Sequence, residues 1–151
     1  MDYEALKAGL ANVVPFNAHV GIELTELSAG RAVAVLPERP ELANHVGSQH
    51  AGALFTTGEW ASGAAFVAAF ADQMGEITPL AEKAEIHYTA IARGPISATA
   101  TLGADPADLK SELAAKGRVR FDVTVELTDG DGKIVATMTV GWYVRRNAPA
   151  A

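Results

Sequence analysis

The sequence predicts one α+β domain in which an antiparallel sheet of about six strands curls around a long, buried helix. Residues 51–72 carry apolar side chains around nearly the whole circumference of a helix, which is typical of a helix with no solvent-facing side. Six other segments have the alternation or the β-branched content of strands. One helix can be buried by that many antiparallel strands only if the sheet curls around it.

The composition indicates a globular protein and limits its chemistry. The chain has 151 residues, of which 49% are hydrophobic and 20% charged, so it is large enough for one compact core. It has no cysteine, so disulfides, thiolate metal sites and thiol nucleophiles are excluded, and catalysis would have to use oxygen or nitrogen groups. The net charge of -6 argues against broad nucleic-acid binding.

The chain is expected to be cytoplasmic and to have no membrane partner. Its first residues lack the basic segment and apolar core of a secretory signal. The one membrane-like stretch, Ala51 to Ala71, contains Glu59, whose charge would cost about 2.5–3.5 kcal/mol at the centre of a bilayer.

The elements before the central helix follow from spacing and turn residues. Residues 1–14 predict an amphipathic lead helix, because Leu6, Leu10 and Val13 lie on one face and Pro15 ends the pattern. Two strands, Val20 to Leu27 and Arg31 to Leu36, flank the turn at residues 28–30. Residues 37–50 have no period of either kind and are expected to form a loop.

The elements after the central helix, residues 51–72, form two pairs of strands. The predicted strands are Lys83 to Ala92, Ile96 to Leu102, Arg118 to Thr128 and Lys133 to Arg146. The last two alternate most clearly and are joined by a glycine-rich turn at residues 129–132. A short surface helix is expected between Asp105 and Gly117, and residues 147–151 are expected to be a disordered tail.

A motif spans the loop and the start of the central helix. Asn44 is followed by Gly47 three residues later, by His50 three residues after that, and by Glu59 nine residues beyond the histidine. This spacing resembles the phenylacetate-type (PaaI-like) branch of the hotdog-fold acyl-CoA thioesterases. The sequence departs from that pattern at Ala51, where the family often has glycine. The resemblance implies a hotdog domain over residues 1–151 that hydrolyses an acyl-CoA, with coenzyme A as part of the substrate and no separate cofactor.

Elementary chemistry points to the same residues. The first turn of a helix has free amides at its positive end, so the N–H groups of Ala51 and Gly52 are suited to polarise a thioester carbonyl. Such a donor is typically worth about 2.7–4 kcal/mol to the transition state. A carboxylate at Glu59, among apolar residues, is expensive to bury and suggests a function as general base or as nucleophile.

The length of the helix predicts a shared site. Ala51 and Glu59 are separated by about 12 Å along the axis, too far for both to reach one carbonyl carbon. Two antiparallel helices related by a two-fold axis would bring Glu59 of one chain to the helix start of the other. We therefore expect a homodimer with the active site at its interface. A homotetramer, built as a dimer of dimers, is also open. A forced monomer is expected to be inactive.

Several residues carry alternative interpretations. Glu59 is either catalytic or a structural carboxylate held by the hydroxyl of Thr56 or Ser62. Asn44 either bonds its own loop or positions the carbonyl or an attacking water. His50 fits an ordering residue at the helix start better than a general base. Candidate substrate contacts are Gly47, Gly52 and Trp60, and Arg93 is the first candidate for binding a CoA phosphate. The other basic candidates, each equally well explained as a solvated strand end, are Lys83, Lys116, Arg118, Arg145 and Arg146. The histidine spacing does not indicate a metal site.

Two other functions remain open at this point. A hotdog dimer can bind acyl-CoA or a fatty acid without turning it over, since a fold does not determine a function. Hydration or dehydration of an enoyl thioester is a further alternative, although the loop lacks the His-Phe-Pro signature of that group. Neither the acyl chain nor the choice between CoA and carrier-protein thioesters follows from the sequence.

Overall fold

The computed structural model describes residues 1–148, which form a six-stranded antiparallel sheet and four helices. The helices are α1 (Tyr3–Leu10), α2 (Pro15–Val20), α3 (Ala51–Ala69) and α4 (Pro106–Lys116). The strands are β1 (Glu23–Ser28), β2 (Arg31–Leu36), β3 (Ile77–Tyr88), β4 (Ile96–Leu102), β5 (Arg118–Thr128) and β6 (Ile134–Arg146). The strand order is β1-β2-β4-β5-β6-β3.

Helix α3 is enclosed by the sheet and contacts all six strands. Alternate residues of β5 are buried and exposed, as its sequence pattern predicts, so one face of the strand packs on the helix. Gly58 allows close approach between helix and sheet, because a Cβ at that position would lie 2.7 Å from Sδ of Met138 in β6. The predicted α+β fold, with a curved sheet around a central helix, is confirmed.

The chain before β1 differs from the single lead helix predicted at residues 1–14. Asp2 caps α1, which ends at Leu10, and a second helix, α2, begins at Pro15. Pro15 therefore begins a helix as well as ending a pattern, because its fixed φ and missing N–H suit the first helical position. Gly21, with φ of 82°, ends α2 and delays the first strand to Glu23.

Three other elements have bounds that differ from the prediction. Helix α3 ends at Ala69 rather than at residue 72, with Phe70 as its C-cap. Strand β3 covers Ile77–Tyr88 instead of Lys83 to Ala92, and β6 begins one residue later than predicted.

Asn147, the first residue of the predicted C-terminal tail at residues 147–151, forms hydrogen bonds to the rest of the domain. The Asn147 amide donates to the Glu76 carbonyl at 2.8 Å, and its side chain accepts from the Thr78 hydroxyl at 2.6 Å. Residues 149–151 of this tail lie outside the described residues. Within residues 1–148, no helix is both long and apolar enough to cross a membrane.

Candidate active site

The loop before α3 is shaped by Asn44. Its side-chain oxygen accepts hydrogen bonds from the amides of Val46 (3.1 Å) and Ser48 (3.0 Å), and its amide group donates to the Ser48 hydroxyl at 2.9 Å. Gly47 lies in the same turn with φ of 71°, a conformation that favours glycine. Asn44 thus bonds its own loop and Gly47 supplies the turn, while the predicted contacts of both residues with substrate stay predictions.

Gln49 holds this loop in place, a role that its position in the sequence does not indicate. Its side chain is buried, and its amide group donates to the carbonyls of Pro37 (3.0 Å) and Gly94 (2.9 Å). Its backbone N–H donates to the carbonyl of Ala92 at 2.9 Å. Three bonds from one residue therefore fix the loop between β2 and the segment before β4.

In the first turn of α3, one amide has no acceptor within the part of the chain that the structure describes. His50 is the N-cap, and its Nδ1 accepts from the N–H of Gly52 at 2.8 Å. The amides of Ala53 and Leu54 donate to the His50 carbonyl. Among residues 1–148, no group accepts from the N–H of Ala51. Of the two amides that we expected to be free, Ala51 is available and Gly52 is occupied by the cap.

The same contact defines the state of His50. Because Nδ1 accepts a hydrogen bond, the neutral ring carries its proton on Nε2, and no lone pair is left there to remove a proton from water. A Cβ on Gly52 would lie 3.1 Å from Nδ1, so glycine lets the ring approach the backbone. In this tautomer, His50 therefore orders the helix start. This agrees with the interpretation of His50 as an ordering residue.

The Ala51 amide lies beside an open groove of about 410 Å³. The groove is bounded by the loop, by the start of α3 and by the residues that follow β3, among them Asn44, Ala51, Leu54, Tyr88, Ala90 and Ile91. The Tyr88 hydroxyl donates to the Ala51 carbonyl at 3.0 Å and ties β3 to the helix start. Burial raises the pKa of Tyr88, which keeps this hydroxyl protonated as a donor.

A second groove, of about 450 Å³, lies on the other side of the helix start and is largely apolar. Its walls come from α2, the loop and α3, and include Phe16, Val20, Leu42, His50 and Phe55. Two grooves thus flank the first turn of α3. An extended ligand that crosses this turn would have a more polar groove on one side and an apolar one on the other.

Glu59 is partly buried and has no hydrogen-bond donor to its carboxylate among residues 1–148. The hydroxyl of Thr56 donates instead to the Gly52 carbonyl, and that of Ser62 donates to the backbone carbonyl of Glu59, each at 2.8 Å. Neither hydroxyl therefore holds the carboxylate of Glu59, as the structural interpretation of this residue required. Burial raises the pKa of Glu59, which moves it toward the range of a general base.

Two other candidate residues lie apart from the grooves. Trp60 is 8% exposed, belongs to the hydrophobic core and lines neither groove. Arg93 is exposed and donates to the carbonyl of Gly47 at 3.3 Å, so it borders the loop from outside. Within residues 1–148, no three His, Asp or Glu side chains are placed to hold a metal ion.

The fold places the chain among hotdog proteins. A Pseudomonas aeruginosa protein of unknown function, described as a probable thioesterase, is 26% identical to this chain, with 97% of each chain covered and a TM-score of 0.86. A mutant of the phenylacetic acid degradation protein PaaI from Thermus thermophilus is 21% identical, with 87% of this chain and 99% of that chain covered and a TM-score of 0.68. These similarities confirm the predicted resemblance to hotdog thioesterases.

A family model that matches most of the chain identifies its family. The chain belongs to the family described as a domain of unknown function (DUF4442), whose model matches residues 3–144. A mutant thioesterase from Staphylococcus aureus has the same fold, with 15% identity, 87% of this chain and 99% of that chain covered, and a TM-score of 0.71. A search of curated proteins for similar sequences finds no match.

Proposed function

We propose that the protein hydrolyses an acyl-CoA thioester to a free acid and CoA. The observation that carries this proposal is the unoccupied N–H of Ala51 at the positive end of α3, beside an open groove. The partly buried carboxylate of Glu59, with no donor of its own among residues 1–148, supplies the second group that the reaction needs. The thioesterase descriptions of the Pseudomonas and Staphylococcus structures support the same reaction class.

The reaction requires an electrophile to be polarised and water to be activated. The thioester oxygen accepts from the N–H of Ala51, which stabilises the oxyanion that forms when the carbonyl is attacked. Glu59 removes a proton from the attacking water, and the tetrahedral intermediate then collapses with loss of the CoA thiolate. The proton held by Glu59 passes to the thiolate, so the carboxylate is regenerated. A direct attack by Glu59, through a mixed anhydride that water then cleaves, uses the same two groups.

We propose that two chains build each site. Ala51 and Glu59 are separated by about 12 Å on one rigid helix, so they cannot act on the same carbonyl from one chain. Strand β3 offers a surface for pairing, because it is twelve residues long, lies at the edge of the sheet and is largely exposed. An antiparallel pairing of β3 with its own copy, centred on Ala84, would place Lys83 opposite Glu85 twice.

The first test is a screen for thiol release from short, medium, long and aromatic acyl-CoAs. We expect hydrolysis of at least one of these thioesters, and the substrate preferred identifies the acyl chain that the apolar groove accepts. A purified, folded protein that is inactive across the whole panel would refute the proposal and favour a binding function. Retained binding of acyl-CoA in such a protein, measured by calorimetry, would identify that alternative.

The shared site predicts that two inactive variants restore activity when they are combined. Ala51→Pro removes the amide donor, and Glu59→Gln removes the carboxylate, so each homodimer lacks one half of both sites. A mixed dimer would have one site with both defects and one intact site. Random mixing makes half of the dimers mixed, so about a quarter of wild-type activity is expected on co-expression.

Separate purification of the two variants gives the baseline for that experiment. If both groups came from one chain, every site in every dimer would be defective. No recovery, in a preparation that mass spectrometry shows to contain mixed dimers, would refute the shared site.

A further inference from the structure

Two arginines face each other across neighbouring strands at one corner of the outer sheet face. Arg118 in β5 and Arg145 in β6 are register partners, so their side chains project from the same side of the sheet. Both residues are exposed. Like charges directly opposite one another in an antiparallel pair destabilise the sheet. This arrangement therefore costs stability and calls for a reason.

Neighbouring arginines have their charge compensated, in contrast to this pair. Arg120, two residues along β5, makes two hydrogen bonds to the carboxylate of Glu82, at 2.9 and 3.0 Å, and lies over the ring of Tyr143. Among residues 1–148, neither Arg118 nor Arg145 forms an ion pair with a carboxylate. The chain has 18 acidic and 12 basic residues, so a shortage of acidic side chains does not explain two uncompensated arginines side by side.

We propose that Arg118 and Arg145 form a binding site for a phosphate group of the CoA part of the substrate, an inference that rests on the proposed function. Guanidinium groups bind phosphate through parallel pairs of hydrogen bonds, and two of them match the charge of a phosphate dianion. A bound phosphate would remove the repulsion between the two side chains. The cost of the opposed pair in the free protein would then be recovered when the ligand binds.

The site lies far from the Ala51 amide of its own chain. Arg145 pairs with Thr78 of β3, whereas the Ala51 carbonyl is bonded to Tyr88, ten residues further along the same strand. Ten residues of strand span about 33 Å. The arginine pair therefore serves the carbonyl site of another chain rather than its own.

The antiparallel pairing of β3 proposed above brings the two parts together. With Ala84 at the centre, and with Glu82 counted as the extra residue of the bulge between Ala81 and Lys83, Thr78 of one chain lies opposite Thr89 of the other, one residue past the end of β3. Thr89 lines the same groove as Ala51. The nucleotide end of the substrate can then leave this groove at the end of β3 and reach the arginine pair of the neighbouring chain.

The test compares the binding of CoA with that of pantetheine, the same thiol without any phosphate. Isothermal titration calorimetry is performed with the wild type, with Arg118→Gln, with Arg145→Gln and with the double variant. We expect CoA to bind the double variant at least about tenfold more weakly than the wild type, since charge-assisted hydrogen bonds are lost. Pantetheine is expected to bind all of these proteins equally. The matched control is Arg31→Gln, which removes an exposed arginine whose partner is Glu26 and should leave the affinity for CoA unchanged.

Two results would overturn the phosphate site. One is a double variant, folded by circular dichroism, that binds CoA as tightly as the wild type. The other is a wild type that does not distinguish CoA from pantetheine. A wild type that binds CoA through these arginines but hydrolyses no thioester would instead refute the proposed function and leave the phosphate site standing.

Discussion

Ala51→Pro is expected to lower kcat for acyl-CoA hydrolysis about 10²–10³-fold while the fold is retained. Proline deletes the one first-turn N–H that has no acceptor among residues 1–148. Ala51 is the first residue of α3, where proline is well tolerated, and α2 and α4 already begin with proline. His50 has φ of -65° and ψ of 140°, an extended conformation that suits a residue before proline.

The matched control for this substitution is Ala51→Gly. Glycine keeps the N–H and removes only the Cβ, so its kcat should stay within a few-fold of the wild type. Thermal unfolding measured alongside should show similar midpoints for the three proteins. A proline variant with full activity would show that the Ala51 amide does not bind the carbonyl oxygen. The proposed stabilisation of the oxyanion by this amide would then be refuted.

Glu59→Gln is expected to lower kcat about 10²–10⁴-fold, the usual contribution of a positioned general acid–base group. Glutamine preserves the size and polarity of the side chain but cannot take up a proton. The pH profile gives a second measurement on the wild type. Because the base must be ionised and burial raises the pKa of Glu59, kcat/KM should fall as the pH drops through a value above that of an ordinary glutamate.

Glu126→Gln provides the control, since Glu126 is an exposed glutamate on the outer face of β5. It should have wild-type activity and the same pH profile. A Glu59→Gln protein with unchanged kcat would remove the carboxylate from the mechanism. A wild-type profile whose acidic limb lies at the pKa of an exposed carboxyl group would contradict the effect of burial on Glu59.

The sequence pattern predicted most of the fold because burial imposes a period on it. Strands β2, β4 and β5 have the predicted bounds, since each has one face against the core. Helix α2 was missed because six residues are too few to show a helical period. The first half of β3 was missed because Pro79 and several exposed residues interrupt its pattern, and an edge strand tolerates both.

The candidate site was predicted only where its residues are close in sequence. The spacing of Asn44, His50 and Glu59 located the loop and the helix, because turn and helix geometry depend on neighbours. Contacts between distant segments left no such signal. The bond from Tyr88 to the Ala51 carbonyl joins residues 37 positions apart, and the bond from Gln49 to Gly94 joins residues 45 positions apart. The loss of the Gly52 amide to the His50 ring depends on a rotamer that no spacing encodes.

The brace formed by Gln49 affects the thermodynamics of ligand binding. Ordering one residue of a flexible loop costs about 1–2 kcal/mol of backbone entropy, and a mobile loop would add that cost to every binding event. Here the buried amide of Gln49 fixes the loop during folding. The loop of the free protein should therefore superpose on that of the ligand-bound protein, and its amide hydrogens should exchange slowly with solvent before any ligand is added.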